Sequence, residues 1–258
     1  TEDPTLEKSS LRCCNYSKRD DDKWKAWIES LSSTERNLFE GLYWYCKSQY
    51  SKSLEYLEKA QNSESKNSEI GITAARYRVR IQRSISTREN AAEAYRQLAE
   101  IWIAIEKPLE THFALEKQEV YFLKIDHLLW SARNQNLIGD METAKVHANA
   151  ALTAIKQARI ELAQTEETRD KLAEYNAEAY HILAYRIAVE TKDFESAMNL
   201  SRIALEIPNL NTEWKERFLW MLGLYSYRLS RYESAVEYWR LLYQNMTDPY
   251  FEPMILFW

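Results

Sequence analysis

Only four glycines and five prolines occur in 258 residues. That scarcity of chain-turning residues excludes a β-sandwich or barrel, which needs many tight turns between short strands. Cysteine is limited to Cys13, Cys14 and Cys46, an odd number with no paired CxxC motif to support a zinc site. A Cys13–Cys46 or Cys14–Cys46 bridge in an oxidising compartment and a set of reduced thiols both remain open. Positive charge is not in excess: 34 Lys and Arg face 39 Asp and Glu, for a net charge of −5. Bulk attraction to nucleic acid or to an anionic membrane is therefore not expected. No apolar run approaches the length of a membrane-spanning helix. The sequence has no GxSxG, no P-loop, no GxGxxG and no HExxH, so no familiar catalytic centre announces itself.

What is present points to helices. The chain is 45% hydrophobic and 28% charged, a balance that suits a folded unit with a core. Ala, Glu, Leu, Lys, Arg and Gln dominate long stretches, and these residues lose least on entering a helix. Aromatic residues make up 13%, including 17 Tyr and 9 Trp. Large rings of this kind suit helix–helix seams and recognition surfaces.

Residues 1–21 are polar and read as a flexible lead-in, and 22–258 as a single helical domain. The chain opens at Thr1 without Met, as expected of a processed protein or an excised fragment; no signal peptide is visible. A first amphipathic helix runs from about Asp22 to Leu31, with Trp24, Trp27, Ile28 and Leu31 on one stripe. Ser32 with Glu35, and Ser86 with Glu89, have the spacing of capping boxes. Hairpins follow at about 34–61, 70–106, 110–163, 168–208 and 212–247, and the apolar Met254–Trp258 then serves as a C-terminal cap.

Each hairpin pairs a tight position in its first helix with a small residue in its second. The last carries Gly223, Tyr232, Ala235 and Pro249; the fourth carries Tyr185, Phe194, Ala197 and Pro208. The third has Ala132, Gly139 and Ala144, the first Gly41, Tyr50 and Ser53, and the second Val79 and Ala91. This arrangement, over residues 34–249, resembles the tetratricopeptide repeat. The resemblance implies an all-α superhelix, a solenoid of helical hairpins, whose first helices line a concave groove. The small residues of the second helices are spaced by 38, 53, 53 and 38 residues, against roughly 34 in the standard unit. The extra length predicts an elongated central hairpin that projects from the rest.

In the resembling family, a frequent ligand-facing position follows the tight position by one residue. Here that position holds Leu42, Arg80, Arg133, Arg186 and Leu224. Arg76 and Arg83 share a helix face with Arg80, and Asn136, Trp220 and Tyr227 flank the row. The resemblance thus implies a partner-binding set of Arg76, Arg80, Arg83, Arg133, Asn136, Arg186, Trp220 and Tyr227. Arg binds carboxylate or phosphate bidentately, so an acidic or phosphorylated protein segment is the expected ligand. The competing reading pairs these arginines with the chain's own acids. The Lys and Asn pattern of the family's carboxylate clamp is not met, and chaperone-tail binding is not carried over.

The four histidines, His112, His127, His147 and His181, all lie in helical pattern. His127, His147 and Asp126 are the nearest approach to a metal set, and neither a metal nor another cofactor is expected. Three Asn-x-Ser/Thr triplets begin at Asn15, Asn199 and Asn245, the last two inside helical pattern. The expectation is a non-catalytic scaffold or adaptor that binds protein or peptide, with self-association open. The alternative is the sensory domain of a larger bacterial transcriptional or membrane-anchored regulator. The sequence leaves the compartment open between cytoplasm and, after removal of a signal or anchor, the cell envelope.

Overall fold

The computed structural model describes residues 21–62, 69–105 and 117–245. The lead-in with Cys13 and Cys14, His112, Pro249 and the Met254–Trp258 cap lie outside them. Eleven helices are described and, among these residues, no strand. They are α1 (Asp21–Glu29), α2 (Ser33–Cys46), α3 (Tyr50–Gln61), α4 (Glu69–Ile85), α5 (Arg88–Ala104) and α6 (Lys117–Ile138), then α7 (Met141–Glu161), α8 (Glu166–Glu190), α9 (Phe194–Leu205), α10 (Thr212–Arg228) and α11 (Tyr232–Asn245). The chain divides into two compact units, 1–94 and 95–258, with the division inside α5.

Side-chain caps set the helix starts. Ser32, Asp140, Thr165, Asp193 and Asn211 each accept a hydrogen bond from the backbone N–H three residues on, which satisfies a donor that a helix N-terminus otherwise leaves open. The Ser32 hydroxyl also donates to the Glu35 carboxylate at 2.8 Å. The Ser86–Glu89 box is displaced by one residue. Ser86 donates back to the Gln82 carbonyl at 2.7 Å and so closes α4. Thr87 takes the capping role, accepting from Asn90 N–H at 3.4 Å.

The turns share a backbone device. Ser48, Gly139, Lys192 and Ser230 all have φ between 57° and 86°, and each lies two residues before the next helix begins. In three of these turns a second bond runs back five residues: Gln49 N–H to Trp44 O, Asp140 N–H to Gln135 O, and Arg231 N–H to Ser226 O. This is the six-to-one bond of a Schellman stop. A left-handed residue at this point reverses the chain without glycine in three of the four cases.

In the first unit, α1, α2, α3 and α4 pack in chain order, with a further contact between α2 and α4. Trp24 and Trp27 stack at 4.9 Å and Trp27 meets Phe39 edge-on at 4.7 Å. Gly41 sits against Leu57, and the Ser53 hydroxyl donates to Gly41 O at 2.7 Å. The predicted tight position and its partner twelve residues on thus meet.

In the second unit, α6 to α11 also pack in order. Gln118 bonds Thr168, Phe122 meets Tyr175, Arg133 pairs with Glu178, and Asn136 reaches Ile182 O. Residue numbers rise together along both helices, so α6 and α8 are parallel. Asn209 bonds Asp170, Asn211 bonds Glu174, and His181 packs on Trp214 and Phe218, which places α10 parallel to α8. Buried residues lie on several sides of α6 and α8, as expected where neighbours pack from more than one direction.

The central hairpin is long, with 22 residues in α6 and 21 in α7, about 30 Å each at helical rise. Within the second unit it packs against α8. Helix α8 is longer still at 25 residues and runs beside α6 from Gln118 to Asn136. No helix among the described residues is long and apolar enough to cross a membrane.

Candidate functional site

The parallel row α6, α8, α10 carries a continuous polar and aromatic strip. On α6, the guanidinium of Arg133 pairs with Glu178 of α8. Arg133 is 54% exposed at its side chain, whereas Glu178 is 16% exposed. One turn along α8, His181 packs on Trp214 at 5.7 Å. Above Trp214 lies the Arg217 guanidinium, 5.0 Å from the ring centroid. Burial, then the charges of Arg217 and Arg133, pull the His181 imidazole down to about 4. The two arginines therefore bear on one neutral histidine from neighbouring helices.

At the other end of the strip, Tyr175 shares a hydrogen bond with Asp126. Burial raises the Asp126 carboxyl above its ordinary range, while Tyr175, Lys171 and Arg133 oppose that rise. The strip thus presents two ion-paired arginines, Arg133 with Glu178 and Arg217 with Glu213 at 2.6 Å, a neutral imidazole and aromatic faces.

The predicted binding residues fall into different situations. Arg186 is buried: its Nε donates to Met141 O at 2.7 Å, and its Nη2 lies 2.8 Å from both Glu142 and Glu190. The reason is rotational. Ala184 and Ala188 join Ala197, Met198 and Ala204 in one core cluster, while Tyr185 is 47% exposed. The packing face of α8 is centred one residue ahead of the spacing-derived position, which turns Arg186 toward α7.

Asn136 is half-buried, donating to Ile182 O at 3.4 Å. Trp220 lies 5.7 Å from Trp239, and Tyr227 lies 6.3 Å from Trp239 and 5.6 Å from Tyr232. These two rings belong to the α10–α11 seam. Of the apolar residues in the row, Leu42 is core at 4% exposed and Leu224 is half-buried.

In the first unit, Arg76, Arg80 and Arg83 lie along one face of α4. Arg80 and Arg83 are exposed and Arg76 is half-buried. The Arg80 guanidinium sits 4.9 Å from the Tyr77 ring centroid, and Tyr77 meets Tyr45 of α2 edge-on at 5.0 Å.

His127 and His147, the nearest approach to a metal set in the sequence, each meet a different partner. Trp102 Nε1 donates to His127 Nδ1 at 2.8 Å, and Ser131 Oγ lies 2.9 Å from His147 Nδ1. Among the described residues, no group of three or more His, Cys, Asp or Glu is arranged to hold a metal ion. Sequence reasoning missed Trp214, Arg217 and His181. The available signal was position: Arg217 lies seven residues before Leu224, about two helical turns back toward the start of α10 and on the same face.

Comparison with protein-family models, with curated proteins and with solved structures gives no match for this chain. The class that the coordinates define is an all-α protein whose adjacent helices pack in sequence order.

Proposed function

We propose that this chain is a non-catalytic scaffold. Within each unit its hairpins stack as tetratricopeptide-like repeats and offer their first-helix faces to a protein or peptide. The observation that carries the reading is the parallel row of α6, α8 and α10, with Arg133, His181, Trp214 and Arg217 along one strip. A second helix intervenes between successive members along the chain while the members lie parallel and in contact, so side chains on the first helices face the same way and read a ligand in register. The shared turn geometry at Ser48, Gly139, Lys192 and Ser230 supports a common hairpin unit.

Arg on Trp and His on Trp are contacts that hold an extended segment without committing the site to a reaction. Recovery of a stoichiometric protein on the tagged chain, identified by mass spectrometry, tests the reading. Arg217→Ala is expected to reduce recovery, and Lys156→Ala, on the exposed side of α7, to leave it unchanged. A chain that recovers no protein but gives a saturable heat with a small molecule favours a sensory domain instead.

A further inference from the structure

The arginines expected to form one row differ in what they face. In the second unit Arg133 and Arg186 are neutralised by Glu178, Glu142 and Glu190. In the first unit no carboxylate of a described residue pairs with Arg76, Arg80 or Arg83. Their neighbour on α4, Arg78, is by contrast held between Gln61 and Glu58 of α3.

Spacing of four and three residues places the three guanidinium groups on one side of α4. Burial and then the like charge of Arg80 pull Arg76 below its ordinary value. Tyr77 fixes one member of the set, since Arg80 rests over its ring, and Tyr45 of α2 supports that ring from the side. A half-buried guanidinium beside a second one, with no acid of a described residue between them, is an unfavourable arrangement that an arriving anion relieves. The protein as a whole is acidic, so the lack of a pairing carboxylate among the described residues is local.

We propose that Arg76, Arg80 and Arg83 form a receiving site for a phosphoryl group on a side chain of the partner protein. The inference rests on the scaffold reading and specifies its ligand in the first unit. A single carboxylate offers one negative charge and compensates one guanidinium. A phosphoryl group near neutral pH carries close to two charges and three acceptor oxygens, enough to bridge two arginines that otherwise repel. The forked N–H groups of Arg bind such oxygens in pairs, which a lysine in the same place does not reproduce.

The test is an NMR titration of the arginine Nε–Hε signals of the whole chain at constant ionic strength. The probes are a blocked phosphoserine and a blocked aspartate. The expected result is saturable movement of the Arg76 and Arg80 signals with phosphoserine. Binding of the aspartate should be weaker by at least about tenfold. Arg76→Gln should abolish the phosphoserine response, and Arg88→Gln, exposed at the start of α5, should preserve it. Arg80→Gln, at an exposed position, gives a second reading should Arg76→Gln lower the melting temperature.

Absence of saturable movement, equal binding of the two probes, or an unchanged response in both Arg76→Gln and Arg80→Gln overturns the proposal. Partner recovery by the parent chain, with no phosphoserine response in that same parent chain, leaves the scaffold reading standing while removing the phosphoryl site.

Discussion

Gly223 and Trp239 are packed so closely that a Cβ on the glycine would overlap the indole, standing 2.6 Å from Cε2 and nearer still to Cδ1 and Nε1. Trp239 follows Gly223 by sixteen residues, as Leu57 follows Gly41, where a Cβ would stand 2.6 Å from Leu57 Cγ. The absent side chain in the first helix lets a large one in the second helix cross it.

Gly223→Ala is therefore expected to destabilise the protein by about 1–3 kcal/mol, the usual cost of overpacking. Denaturant unfolding of the single variant, of Trp239→Ala and of the pair provides the check. In the Trp239→Ala background the added methyl should cost much less, because the clash and its partner are coupled.

Arg186→Ala should lower stability by about 1–3 kcal/mol. It removes hydrogen bonds that tie α8 to the start of α7 and to Glu190. Arg186→Lys should recover only part of this, since an ammonium cannot hold Met141 O and two carboxylates in the same fork. Partner affinity, measured on the folded variant, should remain that of the parent.

Ser230→Gly should stabilise by about 0.5–1 kcal/mol, because Ser230 holds φ at 59° in an exposed turn and glycine adopts that region without steric cost. A rise of about 1–4 °C in the thermal midpoint is the expected readout.

His147 and His181 are both pulled down to about 4, chiefly by burial. An unfolded histidine takes up its proton near pH 6.5. The unfolded chain thus binds more protons than the folded one between those values, and stability falls as the pH drops from 6.5 toward 4. Asp126 acts in the opposite sense: its raised carboxyl favours the folded state under acid conditions and loses that advantage as the pH rises. Stability against pH for His181→Gln should show a shallower acid slope than the parent. An unchanged slope would count against a buried neutral His181.

Much of the helical order was legible in the sequence. Gly41 with Ser53 and Gly223 with Ala235 marked their hairpins because a tight position needs a small residue in one helix and a permissive one in the next. Ser32 marked a helix start because an exposed hydroxyl before a charged first turn has few other partners. Ser86 misled for a specific reason: it follows α4 so closely that its hydroxyl is used by Gln82, which leaves Thr87 to cap α5.

The site was less legible. Spacing placed Arg186 beside Arg133 in one row, but rotation of α8 onto Ala184 and Ala188 is set by tertiary packing and leaves no trace in residue spacing. The convergence of Arg133, His181 and Arg217 was hidden for the same reason, since it depends on three helices lying parallel. Arg76, Arg80 and Arg83 were visible together because they share a single helix, where periodicity alone fixes the face.

The central claim is that first-helix faces bind another protein, and the most direct measurement is the affinity of the recovered partner for surface variants of this chain. Arg80→Ala and Arg217→Ala should each weaken binding by about tenfold or more, with the melting temperature kept, and Lys156→Ala and Arg240→Ala on second helices should bind as the parent does. Equal affinity across all four, or loss confined to the second-helix pair, would contradict the account.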